Sequence, residues 1–490
     1  MFTHPVILAL TSVLHILAFV LVALHSLQRK RNASSTILWI FAAWSFPVAG
    51  PLLYLCFGVD RIPDRGFEKF LTDKTLLTVR ATTKETAPFA YWHNPVAAPN
   101  DSYLQRNMDR ILDALLSDHP VHPGNRITPL VGGDEAYVEM LAAIRAAKKH
   151  IHLQSYIIER DSISREFMDA LAERAAAGVQ IRLLYDRFGS TRAHLSGFFR
   201  KYGRHENVHI EGWTQANPFK RQFQINLRNH RKALVIDGKK AFFGGINIHA
   251  ENTASNPNGP IRDYHFCVEG PMVQELQYSF LRDWHFITHE DPAGLLTEEL
   301  FPQSDQAGKV TARLINSGPS TEKDVAIEAF FNAITLAEKQ ILAVTPYFVP
   351  PADILRALHS AALRGVDVRL IVPQKNNHRY AGFASRALYE ELLLAGVRIY
   401  ERHPPFMHAK ALVVDGELSL IGTANLDNRS LSLNYETSVV VYSENFADTM
   451  KNLIHEDIDS STEIALTEWR RRPAYRRLLE NLALLMAPVL

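Results

Sequence analysis

Three stretches of this 490-residue chain are written twice, in the same order. AAKKHIHLQSYII (146–158) matches LAEKQILAVTPYF (336–348), AAAGVQIRLLYD (175–186) matches AALRGVDVRLIVP (361–373), and NHRKALVIDGKKAFFGGIN (229–247) matches MHAKALVVDGELSLIGTAN (407–425). The offset falls from 190 to 187 to 178 residues, so the second copy has shorter connections. Self-similarity of this kind constrains architecture before any local pattern does. In each copy an Ala/Leu-rich helical stretch passes through Gly178 or Gly365 into a β-branched strand. That alternation predicts an α/β fold of two mixed-sheet halves flanked by helices. The halves are placed at 126–290 and 310–460, after a connector at 61–125.

Composition removes several alternatives. Lys+Arg of 53 against Asp+Glu of 52 leaves a net charge of +1, unlike a chain coated in positive charge to grip nucleic acid, so no nucleic-acid partner is expected. The two cysteines, Cys56 and Cys267, provide neither a disulfide framework nor a cysteine metal site. Residues 5–27 and 36–58 contain no Asp, Glu, Lys or Arg, and ~20 apolar residues suffice to cross a bilayer. No basic region precedes the first run and no small-residue cleavage site follows it. Residues 1–60 therefore read as a retained two-helix transmembrane hairpin rather than a signal peptide. Trp39, Trp44 and Tyr54 suit a membrane boundary, whereas Pro47, Gly50 and Pro51 would kink the second segment or leave it interfacial. Arg29, Lys30 and Arg31 on one side, and Arg61, Arg65, Lys69 and Lys74 on the other, leave the orientation open.

The duplicated polar positions carry the chemistry. His230 with Lys232, and His408 with Lys410, are two apart at the start of a strand, which puts each pair on one face. Asp237-Gly238 and Asp415-Gly416 read as hairpin turns. With a two-residue loop, Asn247 returns on the face of His230 and Asn425 on that of His408; a three-residue loop inverts this. Each half then offers an imidazole, an ammonium and a carboxamide, which is half of a phosphate site. Phosphodiester exchange needs a nucleophile, a proton donor for the leaving alkoxide, and fixed donors around the phosphoryl oxygens. Two histidines supply the first two, and Lys232, Lys410, Asn247 and Asn425 supply the third. Seven residues of strand at ~3.3 Å each place Asp237 roughly 23 Å from His230, so a structural role is expected for Asp237 and for Asp415. Asp263 and Glu436, the carboxylates that follow each motif, are the candidates to orient the imidazoles. A lysine two residues from each histidine is a poor neighbour for a cation, and no metal site is expected.

The pattern His-x-Lys-x4-Asp-x6-Gly-[Gly/Thr]-x-Asn, repeated in one chain, resembles the phospholipase D superfamily. NSGPSTEKD (316–324), TPYFVPPADIL (345–355), ASRALYEELLLAGVRIY (384–400), GTANLDNRSLSLNYE (422–436), the terminal WRRRPAYRRLLE and the apolar N-terminus narrow the likeness to its bacterial cardiolipin synthases, over nearly the whole chain. The resemblance implies a duplicated phospholipase D-type fold with the active site between the halves. It implies a phosphatidyltransferase of the bacterial inner membrane, multi-pass, that converts two phosphatidylglycerol molecules into cardiolipin and glycerol through a phosphatidyl-histidine, without cofactor or metal. The family's catalytic trios map onto His230, Lys232 and Asp237, and onto His408, Lys410 and Asp415. By the same analogy His230 is the nucleophile and His408 the acid/base, although duplicated halves admit the reverse. Ile261 stands where the family would have a Trp before Arg262 and Asp263. A hydrolytic phospholipase D and a synthase using phosphatidylethanolamine as donor are the alternatives. FKRQFQINLR (219–228), and the arginines at 470–472 and 476–477 in an amphipathic tail at 461–490, suit an anionic lipid interface. The tail reads equally well as a capping helix, and the oligomeric state is left open.

Overall fold

The computed structural model describes residues 3–29, 33–58, 62–82, 102–116, 118–213, 227–319 and 324–485. Lys30, Arg31, Arg61, most of the 219–228 stretch and residues 320–323 lie outside them. The chain divides into two compact units, Met1–Arg65 and Gly66–Leu490.

In the first unit the helix Thr3–Arg29 holds a 20-residue stretch, Ala9–Gln28, of mean hydropathy 2.1. Among the described residues it alone is long and apolar enough to cross a membrane as one helix. Leu10, Leu14, Leu17 and Leu21 project outward from it, as a lipid-facing surface requires. The second apolar run is broken where Pro47, Gly50 and Pro51 fall. The helix Ala33–Ser45 ends at a turn over 46–48, and Ala49–Leu53 and Tyr54–Gly58 follow. The run bends back on itself: the rings of Trp39 and Tyr54 are 5.5 Å apart, and a Cβ on Gly50 would meet the carbonyl oxygen of Ala42. Pro47 and Gly50 are the physical cause, the first by lacking an N–H and the second by allowing close approach. His15 and His25 reach across to the carbonyl of Ala43 (3.2 Å) and the hydroxyl of Tyr54 (2.6 Å).

The second unit is built on one 15-stranded sheet. The first half contributes β1 (His122–Val131), β2 (His150–Ser155), β3 (Gln180–Asp186), β4 (Val208–Trp213), β5 (Ala233–Ile236), β6 (Lys240–Gly244) and β7 (Tyr264–Glu269). The second contributes β8 (Val310–Ser317), β9 (Gln340–Val344), β10 (Phe348–Val349), β11 (Asp367–Pro373), β12 (Arg398–Arg402), β13 (Ala411–Val414), β14 (Leu418–Gly422), β15 (Leu426–Asp427), β16 (Glu436–Tyr442) and β17 (Ser461–Glu463). Outward from the centre the strands run β1-β7-β6-β5-β2-β3-β4 on one side and β8-β16-β14-β13-β9-β11-β12-β17 on the other, with β10 and β15 forming a separate pair. The two orders match strand for strand until β17. The halves are thus related by an approximate twofold axis between β1 and β8, which pair antiparallel.

Both faces of this sheet are covered, which is why β5 and β13 are apolar at every position. Leu234 and Ile236 of β5 pack under the helices Gly132–Ala146 and Ser162–Ala176, while Val235 faces a second core shared by both halves. Leu412 and Val414 of β13 pack under Val325–Thr335 and Ala352–Leu363, while Val413 faces that same shared core. The long helices Met272–Thr288 and Glu444–Asp459 line the shared core. Gly178 and Gly365 adopt the same left-handed φ of 92° just past the helices Ser162–Ala176 and Ala352–Leu363. There Val179 N bonds to Arg174 O and Val366 N to Ala361 O, closing each helix.

The described parts of 61–125 are more than a connector. Leu104, Met108 and Leu112 of the helix Tyr103–Leu115 lie in the core of the second half, and β1 begins at His122. The helix Ile62–Thr82 docks from Lys69 onward, with Lys69 Nζ 3.1 Å from Asp283 and Arg80 2.6 Å from Glu275, all four buried.

Candidate active site

Neither histidine lies within a strand. Each sits on the extended approach to one, and that approach pairs with the opposite half. His230 N bonds to Tyr435 O (2.9 Å) and Tyr435 N to Arg228 O (2.9 Å). On the other side of the axis, His408 N bonds to Arg262 O (2.7 Å) and Arg262 N to Phe406 O (2.9 Å). These parallel bridges, Asn229 with Tyr435 and Arg262 with Met407, carry the residue after each partner to the facing imidazole. Glu436 follows Tyr435, and Asp263 follows Arg262.

The orienting carboxylates are therefore exchanged between halves. His230 Nδ1 donates to Glu436 Oε2 (2.9 Å) and His408 Nδ1 to Asp263 Oδ2 (2.7 Å). This corrects the expectation that each half is completed by its own acid. Both carboxylates are fully buried and fixed by further donors: Thr423 Oγ1 and Asn434 Nδ2 on Glu436, and Tyr264 N on Asp263. Burial opposes their ionisation, but the charges of His230 and Lys232 around Glu436, and of Lys410 and His408 around Asp263, hold both below the usual carboxylate range. With each Nδ1 engaged, Nε2 is the nitrogen left to react. It makes no hydrogen bond within the described residues in either ring.

Lys232 Nζ donates to the carbonyl of its own His230 (2.7 Å), and Lys410 Nζ donates to that of His408 while lying 2.7 Å from His408 Nδ1. Both ammonium groups are buried, which pulls Lys232 down to about 7 and Lys410 to about 8. Burial also lowers both histidines, and the neighbouring Lys410 charge helps take His408 to about 3.

The hairpins follow the register that should have turned the asparagines away. Ile236 pairs with Lys240 and Val414 with Leu418, leaving three residues in each loop. Asn247 and Asn425 nevertheless line the same cleft as both histidines. The chain leaves strand geometry at Gly244 (φ 145°) and Gly422 (φ 147°), and alternation no longer applies beyond them. Asn247 Oδ1 accepts from Ile157 N (3.0 Å), and Asn425 Nδ2 donates to Asp427 Oδ2 (3.1 Å) and Ser430 Oγ (3.0 Å).

Asp237 and Asp415 are not brought to this cleft. Asp237 accepts from the backbone N–H groups of Lys148, Lys149 and His150 at 2.8, 2.8 and 2.9 Å. Asp415 does the same with Glu338, Lys339 and Gln340 at 2.9, 2.8 and 2.8 Å. Each adopts a left-handed φ, 53° and 54°, at its hairpin turn and ties that turn to the start of β2 or β9.

The cleft, about 520 Å³, includes groups that sequence reasoning missed. The Tyr156 ring lies 4.9 Å from that of His230, and the Tyr347 ring 6.1 Å from that of His408. Both tyrosines fall in the first repeated block, which was the available signal. Arg228, Arg429 and Asp427 also line it; burial pushes Asp427 up to about 6. Among the described residues, no group of three or more His, Cys, Asp or Glu is arranged to hold a metal ion.

Comparison with known proteins places this geometry. The family model described as cardiolipin synthase, PLD-like domain, matches residues 140–284 and 330–458, once on each half, and a phospholipase D-nuclease N-terminal model matches 13–58. The cardiolipin synthase of Geobacillus kaustophilus is 36% identical over 99% of this chain and 94% of its own length. The major cardiolipin synthase of Bacillus subtilis is 32% identical over 99% of both. Among solved structures, the phosphatidylserine synthase of Haemophilus influenzae superposes with a TM-score of 0.62 at 14% identity, over 78% of this chain and all of that one, a likeness of fold. Two half-sites facing each other across a duplicated sheet, with family matches that extend over nearly the whole length, show that the chain belongs to the bacterial cardiolipin synthases of the phospholipase D superfamily.

Proposed function

We propose that the two half-sites act on one phosphodiester and make cardiolipin from two phosphatidylglycerols. Nε2 of one histidine attacks the phosphorus of the first lipid, and an N–P bond forms as the P–O bond to glycerol breaks. The other histidine gives its proton to the departing glycerol oxygen. That second imidazole, now neutral, takes the proton from a hydroxyl of the second lipid, whose oxygen displaces the first imidazole from phosphorus. Lys232, Lys410 and Asn247, and Asn425 once its Nδ2 leaves Asp427 or Ser430, hold the phosphoryl oxygens as charge shifts among them. A bound phosphate anion restores full charge to the two lysines and raises the proton affinity of the imidazole that serves as acid.

The observation that carries this reading is the exchanged pair of carboxylates, because it presents both Nε2 atoms to one cleft. Family analogy makes His230 the nucleophile. The duplicated halves admit the reverse, with His408 attacking and His230 as acid. Purified protein given phosphatidylglycerol vesicles and no divalent metal is expected to release cardiolipin and glycerol. Phosphatidic acid without cardiolipin would sink the synthase reading in favour of a hydrolase. Acid-labile label from the lipid phosphate is expected on one histidine only, which identifies the nucleophile. His230→Ala and His408→Ala are each expected to abolish turnover.

The N-terminal unit serves as the membrane anchor, and the length of the second apolar run supports a multi-pass arrangement. Cysteines placed at Ser34 and Gly58 test it: labelling from opposite sides of a vesicle supports a second crossing, and labelling from the same side a re-entrant segment. In the tail, Tyr475, Leu478, Leu482 and Leu485 share one face and are each more than half exposed, beside exposed Arg476 and Arg477. That face is assigned to the lipid surface, so Leu478→Asp is expected to raise the KM for lipid in vesicles without lowering Tm.

A further inference from the structure

The twofold arrangement of the site is broken at one position. Two residues before His230 stands Arg228; two residues before His408 stands Phe406. Along an extended approach, alternate side chains share a face, so Arg228 turns toward the cleft with His230. The Arg228 side chain lies 3.7 Å over the ring of Phe188, which fixes the plane of the guanidinium. The residue is 6% exposed and lines the cleft, yet its guanidinium makes no hydrogen bond or ion pair within the described residues. The nearby carboxylate is already committed: Asp186 accepts from the backbone N–H groups of Phe188, Gly189 and Asn229.

A second cation stands close by. Arg429 lines the same cleft, and its charge lowers the proton affinity of Arg228. At the position equivalent to Arg429 the first half carries an acid, Glu251, four residues after Asn247 as Arg429 is four after Asn425. Two arginines therefore line one cleft, while the positions equivalent to them in the repeat hold Phe406 and Glu251.

The proposed reaction has a matching asymmetry. Both lipids are phosphodiester anions, but only the donor's phosphate reacts; the acceptor's stays one glycerol away from the reacting phosphorus. A buried arginine with open N–H donors is a bidentate phosphate receptor in search of an anion. We propose that Arg228, with Arg429 beside it, binds the unreacting phosphodiester of the acceptor lipid and so selects a phosphatidylglycerol over water or a neutral alcohol. This inference rests on the phosphatidylglycerol-to-cardiolipin reading above.

The full-length protein in phosphatidylglycerol vesicles reports the two half-reactions separately. Labelled glycerol incorporated into phosphatidylglycerol measures formation and reversal of the phosphatidyl-enzyme, which needs only the donor. Cardiolipin formation needs the acceptor as well. Arg228→Gln is expected to lower the ratio of cardiolipin formed to glycerol exchanged at least tenfold, with Arg228→Lys intermediate. An unchanged ratio, whether both rates fall together or neither moves, overturns the proposal and in the first case assigns Arg228 to the reacting phosphate. A second arm needs no variant: wild-type enzyme should prefer short-chain phosphatidylglycerol over a monoacylglycerol of equal chain length as acceptor by at least tenfold, and parity overturns the proposal. Absence of cardiolipin from the wild-type reaction defeats the parent reading instead, and is seen before any ratio is taken.

Discussion

His230 Nδ1 lies 2.9 Å from Glu436 Oε2, a carboxylate 206 residues further along the chain and in the opposite half. Its charge and hydrogen bond favour the protonated imidazole. Glu436→Gln is therefore expected to lower the proton affinity of His230 while leaving that of His408 in place, and to cut turnover on the order of 10²–10⁴-fold. Histidine Cε1–H NMR titration of the two rings checks the pairing. If His408 moves and His230 does not, the exchange of acids is wrong.

Asp237 and Asp415 should behave as structural residues. Asp237→Ala removes the acceptor for three backbone N–H groups and leaves alanine in a left-handed conformation, a loss of about 2 kcal/mol. Thermal melts should show that loss, and turnover per folded molecule below the transition should fall less than tenfold. A loss as deep as that of His230→Ala would return the aspartate to the reaction.

Asp283 supports the first motif from beneath. It is fully buried, bonded to Arg231 (2.6 Å) and Asn229 (2.7 Å) on either side of His230, and 3.1 Å from Lys69. Asp283→Ala takes the carboxylate from buried Arg231, while Lys69 keeps Asp73 (2.9 Å), and is expected to cost about 3–5 kcal/mol in denaturant unfolding. Because Arg231 and Asn229 then lose their anchor, turnover should fall even at temperatures where the protein remains folded.

Acid should destabilise the body well before its carboxylates protonate. Burial holds His150 and His265 neutral to about 4, His408 to about 3, and His152 well below its ordinary value. Unfolded, these rings take up protons near pH 6.5, so between that pH and about 4 the unfolded chain binds more protons and stability falls as pH falls. The slope is about 1.4 kcal/mol per pH unit for each such histidine. Melting temperature should drop steadily from pH 7 to 4, with His265→Gln shallower than wild type. A flat profile over that window would contradict the neutral state of these rings.

The repeated blocks were sufficient to place two equivalent halves, because apolar strands covered on both faces leave a plain pattern. They also singled out His230, Asn247 and their counterparts, which line one cleft, and Lys232 and Lys410, each bonded to the carbonyl of its own histidine. The route to that cleft was not legible. Loop length at Asp237-Gly238 depends on how Lys239 joins the turn, and the compensating bend at Gly244 has no period to betray it. Nor could spacing reveal which acid serves which imidazole, since the two bridges that decide it join residues 206 apart on one side and 145 on the other. Arg228 was passed over as part of an interfacial basic stretch, and only the absence of a hydrogen-bond or ion-pair partner among the described residues set it apart.

The parallel bridges at Asn229–Tyr435 and Arg262–Met407 make the seam between halves a shared component, like a key cut in two. A half-molecule detached from its counterpart would keep its histidine and lysine but lose the acid that aims the ring, so it is no smaller enzyme. Spreading the seam by the length of one hydrogen bond would disarm both imidazoles together. The copies are free to diverge elsewhere, as Arg228 and Phe406 do, whereas a change to either carboxylate is felt first in the other copy.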